Sequence, residues 1–88
     1  MTKKVVLLIQ NRLGLHARPA ALFVQMANRF KSEIEVSKGR TKVNGKSIMG
    51  IMTLAAGRGS QISIKAKGPD AAKAISSLTK LIRSNFGE

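Results

Sequence analysis

His16 is the single imidazole of the chain, and it lies within Gly14-Leu15-His16-Ala17-Arg18-Pro19-Ala20. An imidazole nitrogen is a nucleophile toward phosphorus, and the bond it forms is reactive enough to be passed on. Pro19 suits the first turn of a helix, where its missing N–H costs nothing. His16 therefore stands at a loop-to-helix junction, beside free backbone N–H groups and the positive end of the helix dipole. Arg18 adds a planar donor fork for phosphate oxygens. Together these residues read as a seat for a phosphoryl group. A lone histidine at a helix start is more often a plain polar cap, so the rest of the chain must decide.

A second residue with usable chemistry is Ser47, which precedes Ile48-Met49-Gly50-Ile51-Met52. A serine there is a natural N-cap, worth about 1 kcal/mol. A phosphate on it would sit well on the helix dipole, so modification should add local negative charge without unfolding the domain. Ile48, Met49, Ile51 and Met52 cannot all point inward on a helix of two turns. Other chemistry is poorly supplied. The chain has no cysteine and only four carboxylates, Glu33, Glu35, Asp70 and Glu88. No metal site and no cofactor are expected from that set. Gly45-Lys46-Ser47 resembles the end of a phosphate-binding loop, but Arg40 occupies the position where the first glycine is required. Glu33 and Glu35 alternate on one strand and read as a solvated ladder rather than an acid–base pair.

The elements that would position these residues follow from periodicity. Lys4 to Gln10 is nearly continuous in apolar residues and predicts a strand. A helix is predicted over Ala17 to Phe30, with Ala20, Phe23, Val24 and Ala27 on one buried stripe. Glu33 to Ser37 and Arg40 to Asn44 alternate across Lys38-Gly39 and predict a hairpin. Ile48 to Leu54 predicts a short helix, and Gln61 to Lys67 alternates as a further strand. After Gly68-Pro69-Asp70 a last helix turns Ala74, Ile75, Leu78, Leu81 and Ile82 inward and stops near Gly87. The order is βαββαβα. Alternating strands need one buried and one wet face, so the expected fold is α+β: an open-faced sandwich with a four-stranded antiparallel sheet covered on one face by three helices.

Eighty-eight residues are expected to form one domain, spanning residues 1–88. Sixteen Lys and Arg against four Asp and Glu give a net charge of +12, which points to acidic or phosphorylated partners. The longest clean apolar run near the start, Val5 to Ile9, is far short of a membrane span. No membrane insertion and a cytoplasmic location are expected, since no targeting signal is evident. Nucleic acid is the competing partner for so basic a chain. However, Phe23, Phe30 and Phe86 are the only aromatics, no stacking pair lies on a strand, and the cations are scattered over every element. No specific nucleic-acid binding is expected.

The two motifs together resemble HPr, the histidine-containing phosphocarrier family of the phosphoenolpyruvate-dependent phosphotransferase system. Gly14-Leu15-His16-Ala17-Arg18-Pro19-Ala20 is similar to the family's active-site signature, and Val43-Asn44-Gly45-Lys46-Ser47-Ile48-Met49-Gly50-Ile51-Met52 to that around its regulatory serine. The spacing, the length, the element order and the Gly-Pro-Asp start of the last helix also fit. The resemblance implies a carrier, not an enzyme. His16 would be phosphorylated on Nδ1 by enzyme I and would pass the group to enzyme IIA-type domains. Arg18 would stabilise the phosphate. Ser47 would be the target of HPr kinase/phosphorylase in bacteria that have one. It further implies partner docking through Ala17, Ala21, Ile48, Met49 and Met52, with Ile51 in the core. Leu13 departs from the small polar residue that many members carry before the active-site glycine, and Asn-basic-Leu-Gly resembles the nitrogen-related branch. A purely regulatory paralogue would typically lack the histidine, and this chain has it. A monomer is expected, with Val6 and Leu8 as an exposed apolar spot for weak self-association.

Overall fold

The computed structural model describes residues 1–87. The strands are β1 (Thr2–Leu8), β2 (Glu33–Lys38), β3 (Thr41–Asn44) and β4 (Gln61–Lys67). The helices are α1 (Arg18–Ala27), α2 (Ile48–Thr53) and α3 (Ala71–Arg83), followed by a 3₁₀ turn over Asn85–Gly87. The sheet is antiparallel throughout, in the order β1-β4-β2-β3.

The register explains which face is buried. Leu7 pairs with Ile62, Val5 and Val36 flank Ile64, and Val36 pairs with Val43, so one face is apolar across the sheet. Residues one step away, Val6, Ser63 and Ser37, line the opposite face. Leu7, Ile9, Ile34, Val36, Ile62, Ile64 and Ala66 are buried under the helices, whereas Val6 and Leu8 are about half exposed. The alternation predicts this division, because a shift of one residue would reverse every side chain. Phe23, Ile51, Leu78 and Ile82 complete the core from the helix side.

Element boundaries differ in places. β1 spans Thr2–Leu8 rather than Lys4 to Gln10, because Thr2, Lys3 and Lys4 pair with Lys67, Ala66 and Lys65 despite their polarity. Ile9 stays attached to Ser60 and Gly59 through both backbone groups. α1 ends at Ala27, not Phe30: Arg29 and Phe30 donate to carbonyls only three residues back, closing the helix through tighter turns. Val24, Ile75 and Leu81 are half-buried rather than fully inside.

One polar tie holds the end of the molecule where α3 begins. The Asp70 carboxylate accepts from the backbone N–H groups of Lys31 and Ser32, each at 2.9 Å, and from the Ser32 hydroxyl. These bonds, the Ser32 hydroxyl first, lower the Asp70 carboxyl to about 2. Asp70 thus fastens the α1–β2 turn to the start of α3 instead of capping its own helix.

Candidate functional site

The loop after β1 brings His16 to the surface at the start of α1. Asn11 is buried, and its side-chain amide donates to the Gly14 carbonyl at 2.9 Å. Gly14 takes φ +63°, and a Cβ there would fall 2.4 Å from the Ala56 carbonyl oxygen. No other residue allows the loop to approach the segment after α2 so closely. Leu15 then buries its side chain and donates its N–H to the Ala56 carbonyl at 2.8 Å. Anchored on both sides, the loop leaves His16 and Arg18 exposed.

The start of α1 is unusual. Ala17, its cap residue, has φ 50° and ψ −120°, supplies no side-chain hydrogen bond, and is followed by Arg18 and the buried Pro19. Ala21 donates to the Ala17 carbonyl at 3.1 Å, while among the described residues the Arg18 and Ala20 N–H groups have no acceptor. A helix start normally satisfies such donors with a side-chain cap. Here they remain available beside an exposed imidazole and an exposed guanidinium, an arrangement suited to an anionic group. A recess of about 170 Å³ lies against His16, lined by Leu13, Leu15, Ala55, Ala56 and Gly57.

Ser47 caps α2 as its position predicts. It is extended, at φ −109° and ψ 119°, and its hydroxyl accepts from the Gly50 N–H at 3.0 Å. α2 has six residues, about 9 Å of helix. Its far end runs on into the Ala55–Gly57 wall beside His16, so Ser47 and the His16 recess lie at opposite ends of α2. Ile48 is 45% and Met49 77% exposed, and Ile51 is fully buried. Met52 is half-buried against the core and offers less surface than Ile48 or Met49. Ala17 is exposed and Ala21 half-buried.

Cations lie at both ends of the sheet, whereas the acidic residues among those described gather at one. Arg12, Arg18, Lys38, Arg40 and Arg58 lie at the end of the sheet where β1 runs out and β4 begins, the His16 end. Glu33 and Glu35 pair with Lys67 and Lys65 toward the opposite end, where Asp70 is tied to Ser32. Two features beside His16 escape sequence reasoning. Ala17 and Ala55 both adopt positive φ although neither is glycine. Lys38 reaches the Ala55 carbonyl at 3.1 Å.

An open-faced α+β sandwich with an exposed histidine at a helix start that has no side-chain cap offers a place for an anionic group, and comparison with known proteins identifies the family. The family model described as "PTS HPr component phosphorylation site" matches residues 3–84. The phosphocarrier protein HPr of Neisseria meningitidis is 52% identical over 80 residues, covering 91% of this chain and 90% of that protein. The HPr-like protein Crh of Bacillus subtilis is 45% identical over 75 residues, covering 85% and 88%. The crystal structure of HPr from Thermoanaerobacter tengcongensis superposes with a TM-score of 0.96 at 53% identity, covering 98% of this chain and 97% of that one. A dimer of that protein superposes at 0.80. The chain belongs to the HPr family of phosphocarriers of the phosphotransferase system. No helix among the described residues is long and apolar enough to cross a membrane.

Proposed function

We propose that this chain accepts a phosphoryl group from phospho-enzyme I on Nδ1 of His16 and hands it to a histidine of enzyme IIA-type domains. The observation that carries this reading is the exposed His16 beside unpartnered N–H groups at the start of α1. In the forward step the Nδ1 lone pair attacks phosphorus in line with the donor's N–P bond, and the donor histidine leaves with the electrons of that bond. The Arg18 guanidinium and the Arg18 and Ala20 N–H groups hold the phosphoryl oxygens. Nothing in the carrier is consumed, so the reverse geometry serves the acceptor domain. Ile48, Met49, Ala17, Ala21 and the edge of Met52 form the docking surface, and the five cations of the His16 end draw in acidic partners. The carrier works in the cytoplasm as a monomer, in a sugar-uptake or related regulatory relay.

Ser47 is a regulatory site in this reading, open to HPr kinase/phosphorylase where the organism has one. Its phosphate would stand at the far end of the docking helix and repel acidic partners without loosening α2, since an anion suits a helix start. The test is a reconstituted relay: enzyme I, phosphoenolpyruvate, this chain and a IIA domain. An acid-labile, alkali-stable label on this chain that moves to the IIA domain supports the reading. A label that stays on this chain, or is stable in acid, contradicts it.

A further inference from the structure

α2 ends at Thr53, Leu54 caps it, and the next residue, Ala55, lies at φ +50°. Helices often close through one residue in this left-handed region, and glycine usually fills it because a Cβ is disfavoured there. An alanine in that place needs something to hold it. Its carbonyl accepts two hydrogen bonds, from the Gly57 N–H at 3.0 Å and from the Lys38 ammonium at 3.1 Å. Lys38 is the last residue of β2, seventeen residues away in the chain.

What Ala55 sets is the wall of the His16 recess. Ala55, Ala56 and Gly57 line it together with His16. The Ala56 carbonyl, one residue on, accepts the Leu15 N–H at 2.8 Å, and Leu15 precedes His16. The backbone conformation at residue 55 therefore aims the carbonyl that fixes the residue before the imidazole.

We infer that Lys38 is a positioning residue for the His16 site: by binding the Ala55 carbonyl, it holds residue 55 in the left-handed conformation that places the Ala56 carbonyl on the Leu15 N–H. The inference rests on His16 as the phosphoryl acceptor. Its specific consequence is that Lys38 becomes dispensable once residue 55 is glycine, which takes this conformation unaided. A role for Lys38 as mere positive charge toward a partner has no such consequence.

The experiment compares Lys38→Met, Lys38→Arg, Ala55→Gly and the double variant Lys38→Met/Ala55→Gly, with Lys42→Met on β3 as a control that removes the same charge. Two quantities are read: hydrogen exchange of the Leu15 amide, and the kcat and KM of phosphorylation by enzyme I. Lys38→Met should speed Leu15 exchange and lower kcat, each about fivefold, the scale on which left-handed alanine is disfavoured. Lys38→Arg and the double variant should return both to within about twofold of the parent. Lys42→Met should leave both unchanged. A double variant as impaired as Lys38→Met, or Leu15 exchange unmoved by Lys38→Met, overturns the inference. If the parent takes up no phosphoryl group at all, the proposed function fails, and the exchange measurement still decides whether Lys38 holds the wall.

Discussion

The two ends of the sheet are built on opposite principles. At the Asp70 end a carboxylate fills its lone pairs with two backbone N–H groups and a hydroxyl, and α3 is fastened to the turn before β2. At the His16 end a helix starts without a side-chain cap, two alanines hold positive φ, and an imidazole and a guanidinium stand in solvent. Satisfied polar groups stabilise, whereas unpaired donors and strained backbone persist where a ligand completes them. The Asp70 end is tied by satisfied side-chain groups, whereas the His16 end leaves donors open and depends on close backbone packing. The His16 end is held in shape by backbone contacts between two loops, at Gly14, Leu15 and Ala56.

Breaking that loop contact should have the largest effect. Gly14→Ala puts a Cβ against the Ala56 carbonyl at a φ that alanine disfavours. It should lower unfolding free energy by about 3 kcal/mol, measured by urea titration, and phosphoryl uptake should fall with it. Next, Arg18→Ala should leave the fold intact and let His16 still accept phosphate, while transfer to a IIA domain slows about tenfold. Stopped-flow transfer rates equal to the parent's would show the guanidinium is idle.

At the other end the Asp70 tie responds to pH. Asp70→Asn should lower the melting temperature and leave phosphoryl transfer unchanged. The folded carboxyl sits at about 2 against an ordinary value of 3.8. Its stabilisation is therefore fully present above the ordinary value and is lost as pH falls from 3.8 toward about 2. The gap in melting temperature between parent and Asp70→Asn should close over that window, as thermal scans from pH 7 down would show. Of all the substitutions, Ser47→Asp should disturb the fold least. An acidic N-cap keeps α2, so stability should stay within about 0.5 kcal/mol of the parent. Uptake from enzyme I should nonetheless fall, and the deficit should shrink as added salt screens the charge.

Much of this was legible from the chain, for physical reasons. His16, Arg18 and Pro19 fall within four residues, so one local motif carries the proposed nucleophile and the side chain proposed to bind its phosphate. Ser47 reads as a cap because capping is local, and the strand faces read correctly because the side-chain period is two. The ties that distinguish the two ends are long-range. Asp70 reaches Ser32 across thirty-eight residues and Lys38 reaches Ala55 across seventeen, and no pattern of neighbours announces either. The apolar period runs on to Phe30 after the helical hydrogen bonds have tightened into turns, so periodicity overruns the end of α1. Positive φ at Ala17 and Ala55 leaves no trace in the sequence, because alanine carries no signal for it.

In the proposed relay the start of α1, which has no side-chain cap, makes His16 the residue that takes the phosphoryl group from enzyme I. The most direct measurement is the intact mass of parent and His16→Ala after incubation with enzyme I and phosphoenolpyruvate, with the ring nitrogen identified by NMR on the parent. One phosphoryl group is expected on the parent, bonded to Nδ1, and none on His16→Ala, whose melting temperature matches the parent's. A phosphoryl group on His16→Ala, or an unmodified His16 in a phosphorylated parent, would contradict the proposal.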